Sequence, residues 1–475
     1  VEFAAQFGGD HYREAAAVIR GWCPGALRPM QSGDGLIVRL RVTGGILDAG
    51  LAAAIAEWSR RWGNGQVDLT NRANLQLRGV SAGDLDALQR ALGDAGLLDA
   101  DPAAEAIRNV IASPLAGVDP AALLDIRPVV AALEHRLAHD PELHALPGKF
   151  GFAIDDGGRF GLDLVPADVC FVAGAGPMFS VRLDGSPAVV WTCGPEAVPE
   201  VAAAIARAFL RQKGARRMRD VRAEEIAGAV RLVTALGACG ETIAGNEARP
   251  THRVMAGAGR PPTTLPRSAQ QVIDDLPSRT MTRKGRCAVP EGYLGVQSLG
   301  SPGEARMAGT GVGDDERAAA RAFLGVGLPF GRISADGLTE LSASAPELRL
   351  TPWRAILVAL PSLAAARALA ARLPADAFIL DPDDPRRRVA ACPGAPACPE
   401  ATTPTRADAV ALAARLPRGR FLHVSGCAKG CAHPGTAPIT LVGRAGRYDL
   451  IRDGSASAIP AIRGLTVDQV KEHLA

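Results

Sequence analysis

From Leu36 to Val42 apolar and polar residues alternate. Val38, Leu40 and Val42 fall on one face, and Ile37, Arg39 and Arg41 on the other. A period of two is that of a half-buried strand. Gly44-Gly45 ends the run, and Asp48 is placed to cap a helix whose apolar residues Leu51, Ile55, Trp58 and Trp62 keep helical spacing. A second strand starts at Val67. Beyond Thr70-Asn-Arg-Ala the alternation resumes, with Leu75 and Leu77 on one side and Asn74, Gln76 and Arg78 on the other. Residues 84–98 read as a second amphipathic helix through Leu85, Leu88 and Leu92. The order predicts a sheet with helices on one face. The opposite face carries Arg39, Arg41, Gln76 and Arg78, and a face lined by arginines must meet either water or an anion.

This βαββα order predicts a ferredoxin-like half over residues 25–99, after a turn-rich amino-terminal extension, 1–24. Residues 100–245 read as an α/β domain. Within it Asp155-Asp-Gly-Gly158 and Asp184-Gly185 are expected as hairpin turns, and Val198–Gln212 as an amphipathic helix. Residues 246–290, rich in Pro, Arg and Gly, read as a linker. The pattern then returns. Gly331-Arg-Ile-Ser-Ala-Asp-Gly-Leu leads into a helix, and Leu348-Arg-Leu-Thr-Pro-Trp-Arg354 compares with Val67-Asp-Leu-Thr-Asn-Arg-Ala. The interval from Thr351 to the next apolar strand mirrors that from Thr70, which predicts an internal repeat and a second ferredoxin-like half over 291–385. A final α/β domain spans 386–475. The fold class expected is α+β with pseudo-twofold architecture, two ferredoxin-like halves each followed by an α/β domain.

Composition narrows the function. A net charge of +3 on 475 residues gives no case for a nucleic-acid partner. No apolar run reaches the roughly 18 residues of a membrane span, and Leu360–Leu373, interrupted by Arg367 and Arg372, reads as a helix in water. Val1–Pro24 has no signal-peptide core. Nine cysteines, an odd number, point to the reducing cytoplasm. Cys23, Cys170, Cys193, Cys239 and Cys287 are isolated and read as core or surface thiols. Gly309-Thr-Gly-Val-Gly313 lacks dinucleotide-binding spacing, so reducing equivalents are expected from a separate protein.

The other four cysteines carry the chemistry. They stand in two close pairs, Cys392-Pro-Gly-Ala-Pro-Ala-Cys398 and Cys427-Ala-Lys-Gly-Cys431. Four thiolates suit zinc or an iron–sulfur cluster. The wider gap of the first pair argues mildly against structural zinc, whose paired cysteines usually stand about two to four residues apart. Glycine and proline beside both pairs imply tight loops. The reading is a four-cysteine iron–sulfur cluster, against the alternative of four unrelated thiols. His423 and His433 lie near these loops without the spacing of an iron-binding triad and read as structural.

The cysteine pattern, with His423-Val-Ser-Gly-Cys427 and Leu441-Val-Gly-Arg-Ala-Gly-Arg-Tyr448, resembles the cluster motif of the sulfite and nitrite reductase hemoproteins. That resemblance implies a [4Fe-4S] cluster on Cys392, Cys398, Cys427 and Cys431, with two halves clasping a tetrapyrrole. Leu36-Ile-Val-Arg-Leu-Arg and Leu69-Thr-Asn-Arg-Ala-Asn-Leu-Gln resemble the tetrapyrrole-binding strands, which assigns Arg39, Arg41, Arg72 and Gln76 to the macrocycle. Ile107-Arg-Asn-Val-Ile-Ala-Ser-Pro114 implies Arg108 on its distal side, supported by Asn109. Leu146-Pro-Gly-Lys149-Phe-Gly151 keeps one of the family's two lysines, and Arg108 and Lys149 are the catalytic candidates. Gly151 stands in the second place, which weakens the case for reducing a small oxyanion and leaves room for something larger.

Within that family, Trp22-Cys-Pro-Gly-Ala-Leu-Arg-Pro-Met-Gln-Ser-Gly-Asp-Gly and Gly426-Cys-Ala-Lys-Gly-Cys-Ala-His-Pro434 resemble the precorrin-3B synthases. This implies a cytoplasmic, monomeric monooxygenase of cobalamin biosynthesis. Precorrin-3A, O2 and NAD(P)H-derived electrons, delivered by a flavoprotein reductase or ferredoxin, would give precorrin-3B by C20 hydroxylation and γ-lactone closure. Lys429 would join the tetrapyrrole-binding residues, and a mononuclear non-heme iron would accompany the cluster. Two other readings remain, a siroheme-dependent sulfite or nitrite reductase and a non-catalytic cluster or tetrapyrrole carrier.

Overall fold

The computed structural model describes residues 23–174, 176–186, 191–234, 292–299 and 322–474. Nearly all of the expected extension, the whole of the linker, Cys239, Cys287 and Gly309–Gly313 lie outside the described residues. The chain divides into two compact units, one of Cys23–Arg388 and one holding Val389–Ala475.

In the larger unit the first repeat supplies β1 (Met30–Ser32), β2 (Gly35–Leu40), β3 (Ile46–Asp48), β4 (Gln66–Leu69) and β5 (Leu75–Val80). Next come β6 (Val110–Ala112), β7 (Phe152–Asp155), β8 (Val169–Ala173), β9 (Phe179–Leu183) and β10 (Trp191–Cys193). The second repeat supplies β11 (Gly295–Ser298), β12 (Ala322–Gly327), β13 (Arg332–Ser334), β14 (Glu347–Leu350) and β15 (Ala355–Leu360).

The two repeats exchange edge strands. One sheet runs β1-β2-β5-β4-β13 and the other β11-β12-β15-β14-β3, so each ends on a strand from the other repeat. Arg332 of β13 lies opposite Asp68 of β4 and binds it at 2.8 and 3.1 Å. One apolar core serves both sheets. Val38, Leu40, Leu75 and Leu77 of the first join Leu324, Val326, Ile356 and Val358 of the second, all fully buried. Helices Ala49–Trp62 and Ala335–Ser342 cover this core, each started by a side-chain cap: Asp48 accepts from the Leu51 amide at 2.8 Å, and Ser334 from that of Gly337 at 3.0 Å. Such a cap contributes about 1 kcal/mol. The repeat extends to the turns: Thr70 Oγ1 accepts from the amides of Arg72 and Asn74, as Thr351 Oγ1 does from those of Trp353 and Ala355. Ala73 and Arg354 take the same left-handed conformation, with φ of 54° and 58°.

The third sheet, β10-β9-β8-β7-β6, has β6, β7 and β8 parallel. Asp155–Gly158 is therefore not a hairpin turn: it opens the crossover loop from β7 to parallel β8. Asp184-Gly185 does lie between antiparallel β9 and β10. The helix Val198–Leu210 is amphipathic as expected, with a narrow polar edge at Glu200 and Arg207 and a broad buried face that fills the core beneath this sheet.

The crossover loop contains an unusual carboxyl. Asp156 is 1 % exposed, and its Oδ2 has no hydrogen-bond partner among the described residues. Burial raises its pKa from 3.8 to about 6, with Asp155 and Asp119 adding to the rise against the pull of the Gly158 amide. Between those pH values the folded state holds a proton that the unfolded chain has lost. Stability therefore falls as pH rises through that window. Melting temperatures measured from pH 4 to pH 7 should show the fall. Asp156→Asn should flatten it and melt higher at neutral pH; an unchanged slope in that variant would refute the assignment.

The smaller unit is one sheet of β16 (Val389–Ala391), β17 (Leu422–Ser425), β18 (Ala437–Arg444), β19 (Arg447–Gly454) and β20 (Ile462–Leu465), in that order. β16, β17 and β18 are parallel and the remaining pairs antiparallel. The architecture is α+β with pseudo-twofold halves. No helix of the described residues is long and apolar enough to cross a membrane.

Candidate functional site

Period-two alternation puts Arg39 and Gln76 side by side on the polar face of the first sheet, since β2 and β5 pair them directly. Gln76, its amide oriented to satisfy the network, accepts from Arg39 Nε and Nη2 at 3.1 and 2.8 Å. Burial depresses the pKa of the Arg39 guanidinium, offset by the neighbouring Cys23 thiol and by Glu105. Arg72, held on the Thr70 turn, donates from Nη2 to the Lys149 carbonyl at 3.3 Å. Burial depresses Arg72 as well, and Arg39 and Arg217 add to this as like charges. Asn109 is buried and donates from Nδ2 to the carbonyls of Ala106, Gly148 and Phe150. It thereby clamps the loop that presents Lys149. Lys149 is exposed, and its ammonium makes no ion pair among the described residues.

The remaining arginines of this region are paired. Arg78 is held by Asp34 at 2.7 Å, with Asp68 at 3.9 Å. Arg41 is buried against Glu105 at 3.5 Å, and its Nε has no hydrogen-bond partner among the described residues. Arg108 binds Asp99 and Glu134, each at 2.9 Å, and donates to the Arg41 carbonyl at 3.4 Å. Burial alone would lower Arg108, but Glu134 and Asp99 raise it overall. It lines a cleft of about 260 Å³ with Thr43, Asp99, Glu134 and His135. The geometry thus joins Arg39 to Gln76, ties Arg72 to the Lys149 loop that Asn109 clamps, sets Arg39 and Arg72 near enough to act on each other as like charges, and gives Arg41, Arg78 and Arg108 carboxylate partners of their own. Asp168 and Arg217 also belong to this network, and nothing in their sequence setting pointed to it. Arg217 stands in the run Ala215-Arg-Arg-Met-Arg, which reads as ordinary surface charge.

In the smaller unit, Cys392 follows β16 and Cys427 follows β17, so both loops leave the carboxyl ends of adjacent parallel strands. Ligands of open α/β sheets gather at such ends. The Gly426 amide donates to Cys392 Sγ at 3.2 Å, and Thr405 Oγ1 lies 3.7 Å from that sulfur. Gly426 is required here, because a Cβ would come within 2.5 Å of Ala401 Cβ. Cys398 closes a turn on the Gly394 carbonyl at 2.7 Å. Burial raises the Cys398 thiol, and Cys392 and Cys427 raise it further. Burial raises Cys431 too; adjacent Lys429 opposes this, while the other three cysteines add to it. The four thiols therefore share one electrostatic environment.

Among the described residues, no three His, Cys, Asp or Glu side chains close on a point where a single ion could sit. Four cysteine thiols that share one environment, with the Gly426 N–H directed at one of them, fit a polynuclear iron–sulfur cluster. His423 is fully buried with neither ring nitrogen hydrogen-bonded among the described residues, and burial lowers its pKa to about 4, with His433 adding to the fall. His433 donates from Nε2 to the Thr436 carbonyl at 3.1 Å.

Two family models match the chain: the nitrite/sulfite reductase ferredoxin-like half domain over residues 28–95, and the nitrite and sulphite reductase 4Fe-4S domain over residues 103–179. A precorrin-3B synthase of Sinorhizobium sp. is 31% identical over 94% of this chain and 85% of its own length. The chain belongs to the precorrin-3B synthase family of the nitrite and sulfite reductase superfamily. A ferredoxin–nitrite reductase of Synechococcus elongatus is 27% identical over 89% of this chain and 78% of its own. The solved structure of Mycobacterium tuberculosis NirA matches with a TM-score of 0.60 at 21% identity, covering 92% of this chain and 79% of that one, which shows the shared fold. The relatives are oxidoreductases, and the matched domain type supports an iron–sulfur cluster.

Proposed function

We propose that this protein is a monooxygenase of cobalamin biosynthesis that converts precorrin-3A to precorrin-3B. The observation that carries the reading is the network of Arg39, Gln76, Arg72 and Lys149, whose cations outnumber the carboxylates within it. A methylated tetrapyrrole fringed by carboxylates meets that surplus, since guanidinium pairs with carboxylate bidentately. Likeness to the Sinorhizobium synthase supports the same substrate.

The chemistry balances as precorrin-3A, O2, two electrons and two protons giving a hydroxylated γ-lactone and water. Arg39, Arg72 and Lys149 bind and orient the acid side chains. Gln76 keeps Arg39 in register. Asn109 sets the height of the Lys149 loop, and Arg108, with Asp99 and Glu134, fixes the backbone at Arg41. Cys392, Cys398, Cys427 and Cys431 hold the cluster, which supplies electrons one at a time when bound; Lys429 lies beside Cys431. The electrons come from a separate donor, a flavoprotein reductase or a ferredoxin.

The test is a visible spectrum of anaerobically purified protein, then incubation with precorrin-3A, labelled O2 and reductant. Broad iron–sulfur absorption and a product heavier by one labelled oxygen are expected. Intense siroheme bands with turnover of sulfite or nitrite would instead make the protein a reductase. Arg39→Ala and Arg72→Ala should each weaken tetrapyrrole binding by roughly tenfold, the loss of one charged hydrogen-bonded contact. Unchanged affinity in both would remove the proposed pocket.

A further inference from the structure

We propose that Arg217 is a fourth substrate-binding cation, taking a peripheral carboxylate of the tetrapyrrole beside Lys149. The inference rests on the tetrapyrrole reading above and deepens it. It begins at Gly151, where the family resemblance leads one to expect a second lysine. Neither strain nor crowding imposes the glycine: a Cβ at 151 would stand 3.4 Å from the Asn109 carbonyl oxygen and 3.7 Å from Asn109 Cβ, and the backbone is not left-handed. A side chain would fit with a shift of a few tenths of an ångström at most, yet the chain carries no charge there.

The charge arrives from another element. Asp168, fully buried at the start of β8, accepts from the Gly151 amide at 3.0 Å and from the Met218 amide at 2.8 Å. The same carboxylate grips Arg217, with Nε at 3.0 and 3.2 Å and Nη2 at 2.9 Å. A hydrogen-bonded chain therefore runs from Arg72 to the Lys149 carbonyl, two residues along to Gly151, through Asp168 and on to Arg217. Arg217 Nη1 has no partner among the described residues, and the side chain remains 22% exposed. It is anchored on one edge and open on the other.

The charge balance identifies the ligand class. Arg72 has Arg39 and Arg217 as neighbouring cations, and Asp168 is the one carboxylate bound among these three; three minus one leaves a surplus of two, to which exposed Lys149 adds a further cation from the loop that Arg72 holds. Glu105, also near Arg39, is taken by Arg41 and by two backbone amides. Partly buried like charges are unfavourable until anions arrive. A small oxyanion would satisfy one or two of them. A rigid ring with several carboxylates on its rim can satisfy all of them at once.

The test is fluorescence titration with uroporphyrin, a polycarboxylate porphyrin, on the full chain. Arg217→Gln should weaken binding by about tenfold or more, and Arg217→Lys, which keeps charge but loses the fork, by less. Adding Gly151→Lys to Arg217→Gln should recover much of the loss, which a merely structural arginine would not allow. Wild-type affinity in Arg217→Gln, with weakened binding in Arg72→Ala, would overturn the role of Arg217 and leave the tetrapyrrole reading standing. No binding by the wild type would overturn both. If Arg217→Gln does not fold because Asp168 is left buried and unpaired, Asp168→Asn with Arg217→Gln removes both charges. Weak binding by that folded double variant supports the proposal, and wild-type binding overturns it.

Discussion

Cys398→Ser should strip the protein of its iron–sulfur absorption and lower bound iron to a small fraction of the wild-type content. Serine matches the shape of cysteine closely, so the Gly394–Cys398 turn can still form through its backbone bond. What is lost is a soft thiolate ligand; an alcohol stays protonated at neutral pH and has little affinity for iron in a thiolate site. The cluster is left with three thiol ligands, of which Cys431, its pKa raised by burial, stays protonated without iron, and the exposed Cys431 side of the site opens to water. Cys170→Ser is the informative control. The matched 4Fe-4S domain segment, 103–179, contains Cys170 alone, and Cys170 lies in β8 with its thiol pushed up to about 12 by burial. Retained absorption in Cys170→Ser and loss in Cys398→Ser would place the cluster on the four late cysteines. A full cluster in Cys398→Ser would refute that ligand set.

The legible parts of this protein are those whose cause is local. Alternation from Leu36 to Val42 and again at Leu75–Arg78 put Arg39 and Gln76 on one face, and the register of β2 against β5 makes them neighbours. Asp48 caps its helix as its position suggested. The exchanged strands β3 and β13 escaped notice because each is three residues long, too short for a period, and its partner lies in the other repeat. Asp155-Asp-Gly-Gly158 has hairpin composition, but composition does not fix strand direction, and β7 and β8 turn out parallel. At the site, motif resemblance singled out Arg108 without revealing Asp99 and Glu134, the carboxylates that hold it. Asp168 and Arg217 were illegible for a related reason. Each is an unremarkable charged residue until folding seals the carboxylate and leaves one edge of the guanidinium outside.

Gly325→Ala should cost several kcal/mol, roughly 3 or more, and leave little folded protein at physiological temperature. A Cβ on Gly325 would lie 1.7 Å from the backbone oxygen of Tyr293, and no rotation of a side chain can relieve that contact. Tyr293 is itself fully buried, packed against Phe160 at 4.1 Å and Trp353 at 4.5 Å between ring centroids. The position has a further meaning in the repeat. Gly325 pairs with Leu357 in β12–β15 as Arg39 pairs with Gln76 in β2–β5, and the shared Thr70 and Thr351 turns set the two pairs in the same register. Where the first repeat presents an arginine and an amide, the second presents a glycine and a leucine, and the Tyr293 backbone fills the space. Arg39→Ala should therefore leave the melting temperature nearly unchanged while weakening tetrapyrrole binding, and Gly325→Ala should do the reverse in whatever fraction folds. A stable Gly325→Ala protein would mean that the second face can open. The opposite results would mean that of two structurally equivalent faces one is a polar site and the other is core, which lets a pseudo-symmetric fold bind a single ring.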